Sequence, residues 1–299
     1  MNATRLFSQD AYPALSDPIH TKQIKKGALN LYLDPSYDVP QLHEFIDAIR
    51  SGDLSRVTQV DSSDYARVYR FELPGVAGNN TFYYKEFLFR SFGDRLSVIL
   101  RKSRARRAWD GAQLLLANCF LTATPVCMGE ERRLGIVKRS FMVTEAVGDA
   151  QSVDSFIKKN YPVATDQKSM LMKRKFLQHL GMTVGRMHHL GIFQGDLRPG
   201  NVLVQHGDPP TISLIDNERT RKYGKLPVRK RVKNLVQINL SLVPAITRSD
   251  RARFFSAYLE ENRDLKNDKK KWQEMVLSKT RSRMMLKGWR YPSPNRTTD

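Results

Sequence analysis

Three side chains in the second half of the chain carry the strongest chemical signal. Asp196 and Asn201 stand five residues apart in Gln194-Gly-Asp-Leu-Arg-Pro-Gly-Asn201, and Asp216 closes the run Leu214-Ile-Asp216 fifteen residues further on. A carboxylate and a carboxamide on a loop, then a carboxylate at a strand end, are what kinase-type phosphoryl transfer uses. The first acid accepts the proton of the attacking hydroxyl, and the other two hold Mg2+ on the nucleotide phosphates. Because the transferred group gets little covalent help, positioned charge carries the catalysis. A helix-capping aspartate among ordinary turn residues is the plain alternative. The order, spacing and strand–loop context of all three residues argue against it.

These residues need elements to hold them. Leu171, Phe176, Leu180, Val184 and Met187 recur at helical spacing, predicting a helix over Met170–His189 that Gly191 stops. Short strands follow at Asn201–Val204 and Thr211–Ile215, and from about Val232 the chain reads as helical and basic. Earlier, Val57 and Val60, then Val68 to Leu73, read as two strands around the turn Asp61-Ser-Ser-Asp64. Thr81–Leu88 reads as a third, and Ile136–Val137 and Phe141–Val143 as two more. Arg101–Asn118 has a helical apolar face, and Ser152–Lys159 is a further candidate helix. Residues 1–40 show no clear period and read as a loosely ordered lead-in, with a short helix at His43–Arg50. The expected domains are therefore a lead-in over 1–54, a sheet lobe over 55–147 and a mainly helical lobe over 148–299. Clefts between lobes are favoured ligand sites.

The 299 residues are enough for two lobes with a sizeable core, and 40% hydrophobic residues exclude a mainly disordered chain. Two cysteines, Cys119 and Cys127, make neither a disulfide framework nor a four-ligand zinc site and fit a reducing compartment. No apolar run reaches membrane-spanning length, and the first ten residues lack the apolar core of a signal peptide. A cytoplasmic protein is expected. With 50 Lys and Arg against 30 Asp and Glu, the net charge of +20 calls for a polyanionic partner. No aromatic platform or base-reading motif supports nucleic acid as that partner.

Five stretches together resemble the lipopolysaccharide kinases, the inner-core heptose and keto-deoxy-octulosonate kinases with their protein-kinase-like fold. They are Tyr83-Tyr-Lys-Glu-Phe87, Lys138-Arg-Ser-Phe-Met-Val-Thr-Glu145, Leu190-Gly-Ile-Phe-Gln-Gly-Asp-Leu-Arg-Pro-Gly-Asn201, Leu214-Ile-Asp-Asn-Glu-Arg-Thr220 and Asn234-Leu-Val-Gln-Ile-Asn-Leu-Ser-Leu242. The resemblance spans about Val57 to Glu260. It implies an α+β, two-lobe fold, with an antiparallel-sheet N-lobe and a mainly helical C-lobe. It implies ATP and Mg2+ as cofactors and a lipopolysaccharide core or other anionic glycolipid as acceptor. The place of action it implies is the cytoplasmic face of the inner membrane of a Gram-negative bacterium. By position, Asp196 is the base, Asn201 and Asp216 are metal ligands, and Lys85 holds the nucleotide phosphates. Glu145 and Val147 lie in the hinge and offer backbone groups to adenine. Arg198 either grips a phosphate through two hydrogen bonds or makes a surface salt bridge.

Departures from the pattern qualify these roles. The turn with Ser62 and Ser63 stands where a glycine-rich loop would cover the phosphates, so hydroxyls and N–H groups must serve without glycine's close approach. Ala108 occupies the place of the carboxylate expected to pair with Lys85, and Asp110 is about 200° round the helix from it. Gln194 replaces the usual histidine before the catalytic aspartate. A protein serine kinase of the RIO-like type and a weakly catalytic basic membrane-binding module remain as alternatives.

Other features read more plainly. His188 and His189 end a helix, where cations suit its dipole, and no second ligand pair makes them a zinc site. The cluster Arg219–Lys233 calls for an anion to offset its repulsion. The helix with Lys269-Lys-Lys-Trp272 and Lys279–Arg290 either lies on an anionic membrane surface or packs on the helical lobe. Met284-Met-Leu286 reads as core.

Overall fold

In the computed structural model the described residues are 21–74, 80–89, 102–162 and 166–289. The start of the lead-in, the centre of the loop after Pro74, and Arg290 onward lie outside them. The chain divides at Gly148 into two compact units, 1–148 and 149–299.

The first unit is built on a seven-stranded antiparallel sheet. Its strands are β1 (Lys22–Lys26), β2 (Leu29–Leu33), β3 (Thr58–Val60), β4 (Ala66–Glu72), β5 (Thr81–Phe87), β7 (Pro125–Arg133) and β8 (Ile136–Glu145), in the order β1-β2-β7-β8-β5-β4-β3. β6 (Leu121–Thr122) is a two-residue strand before β7. Helix α1 (Pro40–Ser51) starts on a proline, whose fixed φ suits a first helical turn, and ends at Gly52 in the left-handed region. It presses Leu42, Phe45, Ile46 and Ile49 onto one face of the sheet, where Phe45 stacks on Phe71 at 4.9 Å. Burying each such side chain contributes about 1.5–3 kcal/mol. The other face takes α2 (Arg104–Leu116) through Ala105, Ala108, Trp109 and Ala112, packed with Phe87, Met128 and Met142.

The lead-in reading differs from the structure between Lys22 and Ser51. Those residues form β1, β2 and a full-length α1, with β2 paired to β7. Strand β7 was not read as a strand, and Ile136–Val143 is one strand rather than two.

The second unit is mainly helical. Its helices are α3 (Val153–Asn160), α4 (Gln167–His189), α5 (Val228–Ile238), α6 (Arg248–Glu261) and α7 (Lys269–Leu286). Asp166 caps α4 by accepting from the Ser169 N–H, so the helix begins three residues before the predicted start. Short strands β9 (Gln151–Ser152), β11 (Val202–Gln205) and β12 (Thr211–Leu214) pair antiparallel, and β10 (Ile192–Phe193) pairs with β13 (Arg221–Lys222).

Ser103 joins α2 to the sheet. Its hydroxyl accepts from the Arg106 N–H and donates to buried Glu130 in β7 at 2.5 Å. Ser103→Ala removes a cap and leaves a buried carboxylate oxygen without that donor. It should cost about 2 kcal/mol, lowering Tm by several degrees in a thermal melt. A shift under about one degree would show that the contact holds nothing.

Candidate active site

In the second unit the loop from Gln194 to Asn201 has almost no regular structure, so side chains hold it. Gln194 is fully buried. It donates to the Ile215 carbonyl at 2.9 Å and accepts from the Asp196 N–H at 2.7 Å. The Asn201 side-chain amide donates to the Asp196 main-chain carbonyl at 2.8 Å, and the Asn201 main-chain carbonyl accepts from the Ile215 N–H at 3.0 Å. Asp196, Asn201 and the residue before Asp216 are thus tied into one network. Gln194, read only as a departure from the histidine pattern, is the brace between the loop and the strand end.

The Asp196 carboxylate is held at both oxygens. Gln237 of α5 donates to Oδ1 at 3.0 Å, and Arg198 donates to Oδ2 at 2.9 Å. Arg198 is therefore an ion-pair partner of the expected base, with a half-exposed guanidinium that keeps further donors outward. A carboxylate accepts about four hydrogen bonds, so capacity remains for a hydroxyl. Asn201 commits its side-chain N–H to the loop and keeps its side-chain oxygen Oδ1 for another partner. Asp216 takes a left-handed backbone at φ +61, which Asp tolerates better than most residues.

Cations gather near this carboxylate. Lys230 and Lys233 lie 4.8 and 5.3 Å from the Phe193 ring. Burial holds the Lys233 ammonium below its ordinary range, the charges of Arg219 and Lys230 push it the same way, and Asp196 opposes them. Arg231 does not belong to this cluster. It is buried, and its guanidinium donates to Tyr258 and to Asn262. The basic run read as one charged loop is thus divided between exposed Arg229, Lys230 beside Phe193 and buried Arg231. His188 also departs from its reading as a helix-end cation. Burial, then the Arg231 charge, drives its imidazole down to about 3, so it is neutral.

In the first unit Lys85 lies on β5 between Val68 and Met142, its ammonium 5.3 Å from the Phe87 ring. Ala108 is buried in the same core. Asp110 is engaged by Lys102 at 2.7 Å and Arg106 at 3.0 Å, and Glu86 by Arg139 at 2.6 Å. Both acids are thus paired with cations other than Lys85. The Glu145 N–H donates to Thr124 O and the Ala146 N–H to Thr81 O. Burial, and then a hydrogen bond to the Glu145 carboxylate, keep the Tyr37 phenol protonated well above its usual range. The Glu145 N–H is thus already engaged, and Val147 is the first residue past these two bonds. Ser62 donates to the Ala66 carbonyl at 2.7 Å and the Ala66 N–H returns to Ser63 O at 2.9 Å, a turn closed on itself. The Ser62 hydroxyl proton is therefore not pointed at a ligand.

Among the described residues no three His, Cys, Asp or Glu side chains gather as a metal cage. One carboxylate and one amide carbonyl, completed by substrate phosphates, suit Mg2+, which keeps few protein ligands. Asn201 and Asp216 fit that role.

A family model described as "Lipopolysaccharide kinase (Kdo/WaaP) family" matches residues 54–258. No curated protein sequence matches the chain. A solved structure described as "WaaP in complex with acyl carrier protein" is similar at a TM-score of 0.60 and 20% identity, over 84% of this chain and 98% of that one. At that identity the likeness establishes the kinase-like α+β fold. A second, described as "Crystal structure of a Stt7 homolog from Micromonas algae soaked with ATP", gives a TM-score of 0.39 at 17% identity, over 55% of this chain and 49% of that one.

Gly195 sits at φ +86, and a Cβ there would meet the Arg219 side chain and lie 2.7 Å from its carbonyl oxygen. Gly195→Ala should lower Tm by several degrees and, in the protein still folded at assay temperature, lower turnover more than a hundredfold. Turnover within threefold of wild type would show that the Asp196 loop tolerates displacement.

Proposed function

The chain belongs to the lipopolysaccharide kinase (Kdo/WaaP) family, and from that premise we propose that it transfers a phosphoryl group from ATP, with Mg2+, to a sugar hydroxyl of the lipopolysaccharide inner core. The observation that carries this reading is the network that fixes Asp196, Asn201 and the strand end before Asp216. On this reading the acceptor hydroxyl donates to Asp196, which takes its proton as the new O–P bond forms and ADP leaves. Mg2+, when bound, neutralises charge on the phosphates. Asn201 Oδ1 and the Asp216 carboxylate would hold it, and Lys85 would neutralise phosphate charge from β5. Lys233, Lys230 and Arg219 offer cationic charge to an acceptor rich in phosphates and carboxylates.

A transfer assay with terminally labelled ATP and Mg2+, offering unphosphorylated core lipopolysaccharide beside a generic protein acceptor, tests the proposal. Label should enter the glycolipid, vanish in Asp196→Ala with nucleotide binding retained, and fall in Lys233→Met through a severalfold rise in acceptor KM. Label on the protein instead would move the activity to the RIO-like class.

We further propose that the chain works at the cytoplasmic face of the inner membrane. No helix among the described residues is long and apolar enough to cross a membrane. Helix α7 buries Trp272, Val276 and Met284 but leaves Met285 78% and Leu286 88% exposed, beside Lys287 and Trp289. Apolar side chains among cations suit a lipid surface. Met285→Ser with Leu286→Ser should weaken binding to anionic vesicles severalfold in a sedimentation assay. Unchanged affinity would leave that helix end without a lipid role.

The relative solved with acyl carrier protein suggests a second partner. A cavity of about 290 Å³ in the second unit is lined by Ile157, Leu177, Leu180, Leu235, Phe255 and Leu277, among others. Such a cavity suits an alkyl chain. Acylated carrier protein should raise Tm where the unacylated form does not; equal effects would exclude the cavity.

A further inference from the structure

We propose that Gln237 is a positioning residue for Asp196, the last donor of a buried one-way hydrogen-bond relay that starts at Arg231 and runs through Tyr258, His188 and Asn234. The inference rests on the reading of Asp196 as the base.

The relay is continuous. Arg231 donates to the Tyr258 hydroxyl, which lies 3.1 Å from His188 Nδ1. His188 Nε2 is 3.2 Å from Asn234 Oδ1, Asn234 Nδ2 is 3.0 Å from Gln237 Oε1, and Gln237 Nε2 is 3.0 Å from Asp196 Oδ1. Tyr258, His188, Asn234 and Gln237 are each at most 1% exposed, and Arg231 is 7% exposed.

The two ends fix the direction of every bond between them. A guanidinium only donates, and an ionised carboxylate only accepts. Gln237 must therefore turn its NH2 to Asp196 and its carbonyl to Asn234. Asn234 must turn its NH2 to Gln237 and its carbonyl to His188. His188 must carry its proton on Nε2 and present a bare Nδ1, which the Tyr258 O–H fills while its oxygen accepts from Arg231. One tautomer and one setting of each amide satisfy the whole chain. Any reversal leaves two donors or two acceptors facing each other in a dry interior, where an unmatched polar group is costly.

The protonation states agree with this direction. Burial, then Arg231, keeps His188 neutral down to about 3, and burial raises the Tyr258 phenol to about 12, so it stays a donor. Arg231 is anchored in turn by Asn262 Oδ1 at 2.6 Å, and the Asn262 amide donates to Gly185 O at 2.9 Å. The cationic end is thereby pinned to α4. The relay also accounts for the stretch Asn234–Leu242, whose Asn234 and Gln237 have no other assigned role.

Each donor is polarised by the one behind it, so the bond reaching Oδ1 is strengthened and fixes the rotation of the Asp196 carboxylate. Arg198 holds Oδ2, and Lys233 adds its field from α5. Removing the Gln237 donor should therefore spoil the aim of the base, lowering the chemical step more than nucleotide binding or the stability of the fold.

The test measures kcat and nucleotide KM for wild type, Gln237→Met and the near-isosteric Gln237→Glu, with Asp196→Asn as reference and melting curves for all. The relay predicts a ten- to hundredfold fall in kcat for Gln237→Met, with nucleotide KM within about twofold and an unchanged melting curve. Gln237→Glu replaces the donor with a second acceptor facing the first carboxylate and should lower kcat at least as far. A kcat within twofold of wild type in both variants, or a nucleotide KM that moves as far as kcat, with Asp196→Asn inactive, overturns the relay while sparing the base. Wild-type turnover in Asp196→Asn overturns the base, and the relay with it. Independently of activity, 15N NMR of the wild-type protein should find His188 protonated at Nε2 and bare at Nδ1 from pH 5 to 8. An Nδ1–H tautomer or an imidazolium in that range overturns the proposal.

Discussion

The second unit answers to one constraint: a carboxylate must be held and aimed while it sits on a loop whose one regular element is a single 3-10 turn at Pro199–Asn201. The backbone of such a loop has N–H and C=O groups that no ladder pairs. Here Gln194 and Asn201 take over that pairing with side-chain amides, one bracing the loop against the strand end and the other folding it back on itself. Amides suit the task because each offers a donor and an acceptor from one rigid plane, without a charge that would compete with the carboxylate. Gly195 and Gly191, at φ +86 and +75, let the chain pass where a side chain would strike Arg219 or Tyr223.

The candidate site was legible in the sequence because its residues lie close together along the chain. Asp196, Asn201 and Asp216 fall within about twenty positions, and loop and strand ends have compositional signatures. What escaped the reading depends on contacts across long separations. Gln237 reaches Asp196 over 41 residues and Arg139 meets Glu86 over 53, and no period marks either pair. Arg231 looked like one more cation in a basic run, although Arg231, Asn234 and Gln237 recur at a spacing of three that marks a single helix side. The strands β1 and β7 were missed for opposite reasons. β1 reads KQIKK, too polar to suggest a strand, while β7 is buried through its first six residues and shows no alternation.

Helix α5 illustrates why charge counts mislead. Its polar residues do not form one solvated face. Arg229 is exposed and Lys230 and Lys233 approach the Phe193 ring, while Arg231, Asn234 and Gln237 are buried. The same helix thus supplies mobile-ion-like charge on one side and fixed, directional dipoles on the other. Only the second kind can define an orientation, and only the first responds strongly to salt.

The outermost described strand of the seven-stranded sheet, β1, presents Lys22, Lys25 and Lys26 among its five residues, four of which are exposed. A strand at a sheet border offers unpaired backbone groups to any passing chain, and closely spaced ammonium groups make that addition unfavourable. The opposite border, β3, is only three residues long. A seven-stranded sheet that carries aromatic residues through its core can thereby stay closed to growth at both ends. Crowding this chain at high concentration should favour contacts between its helical surfaces over fibril-like extension of the sheet.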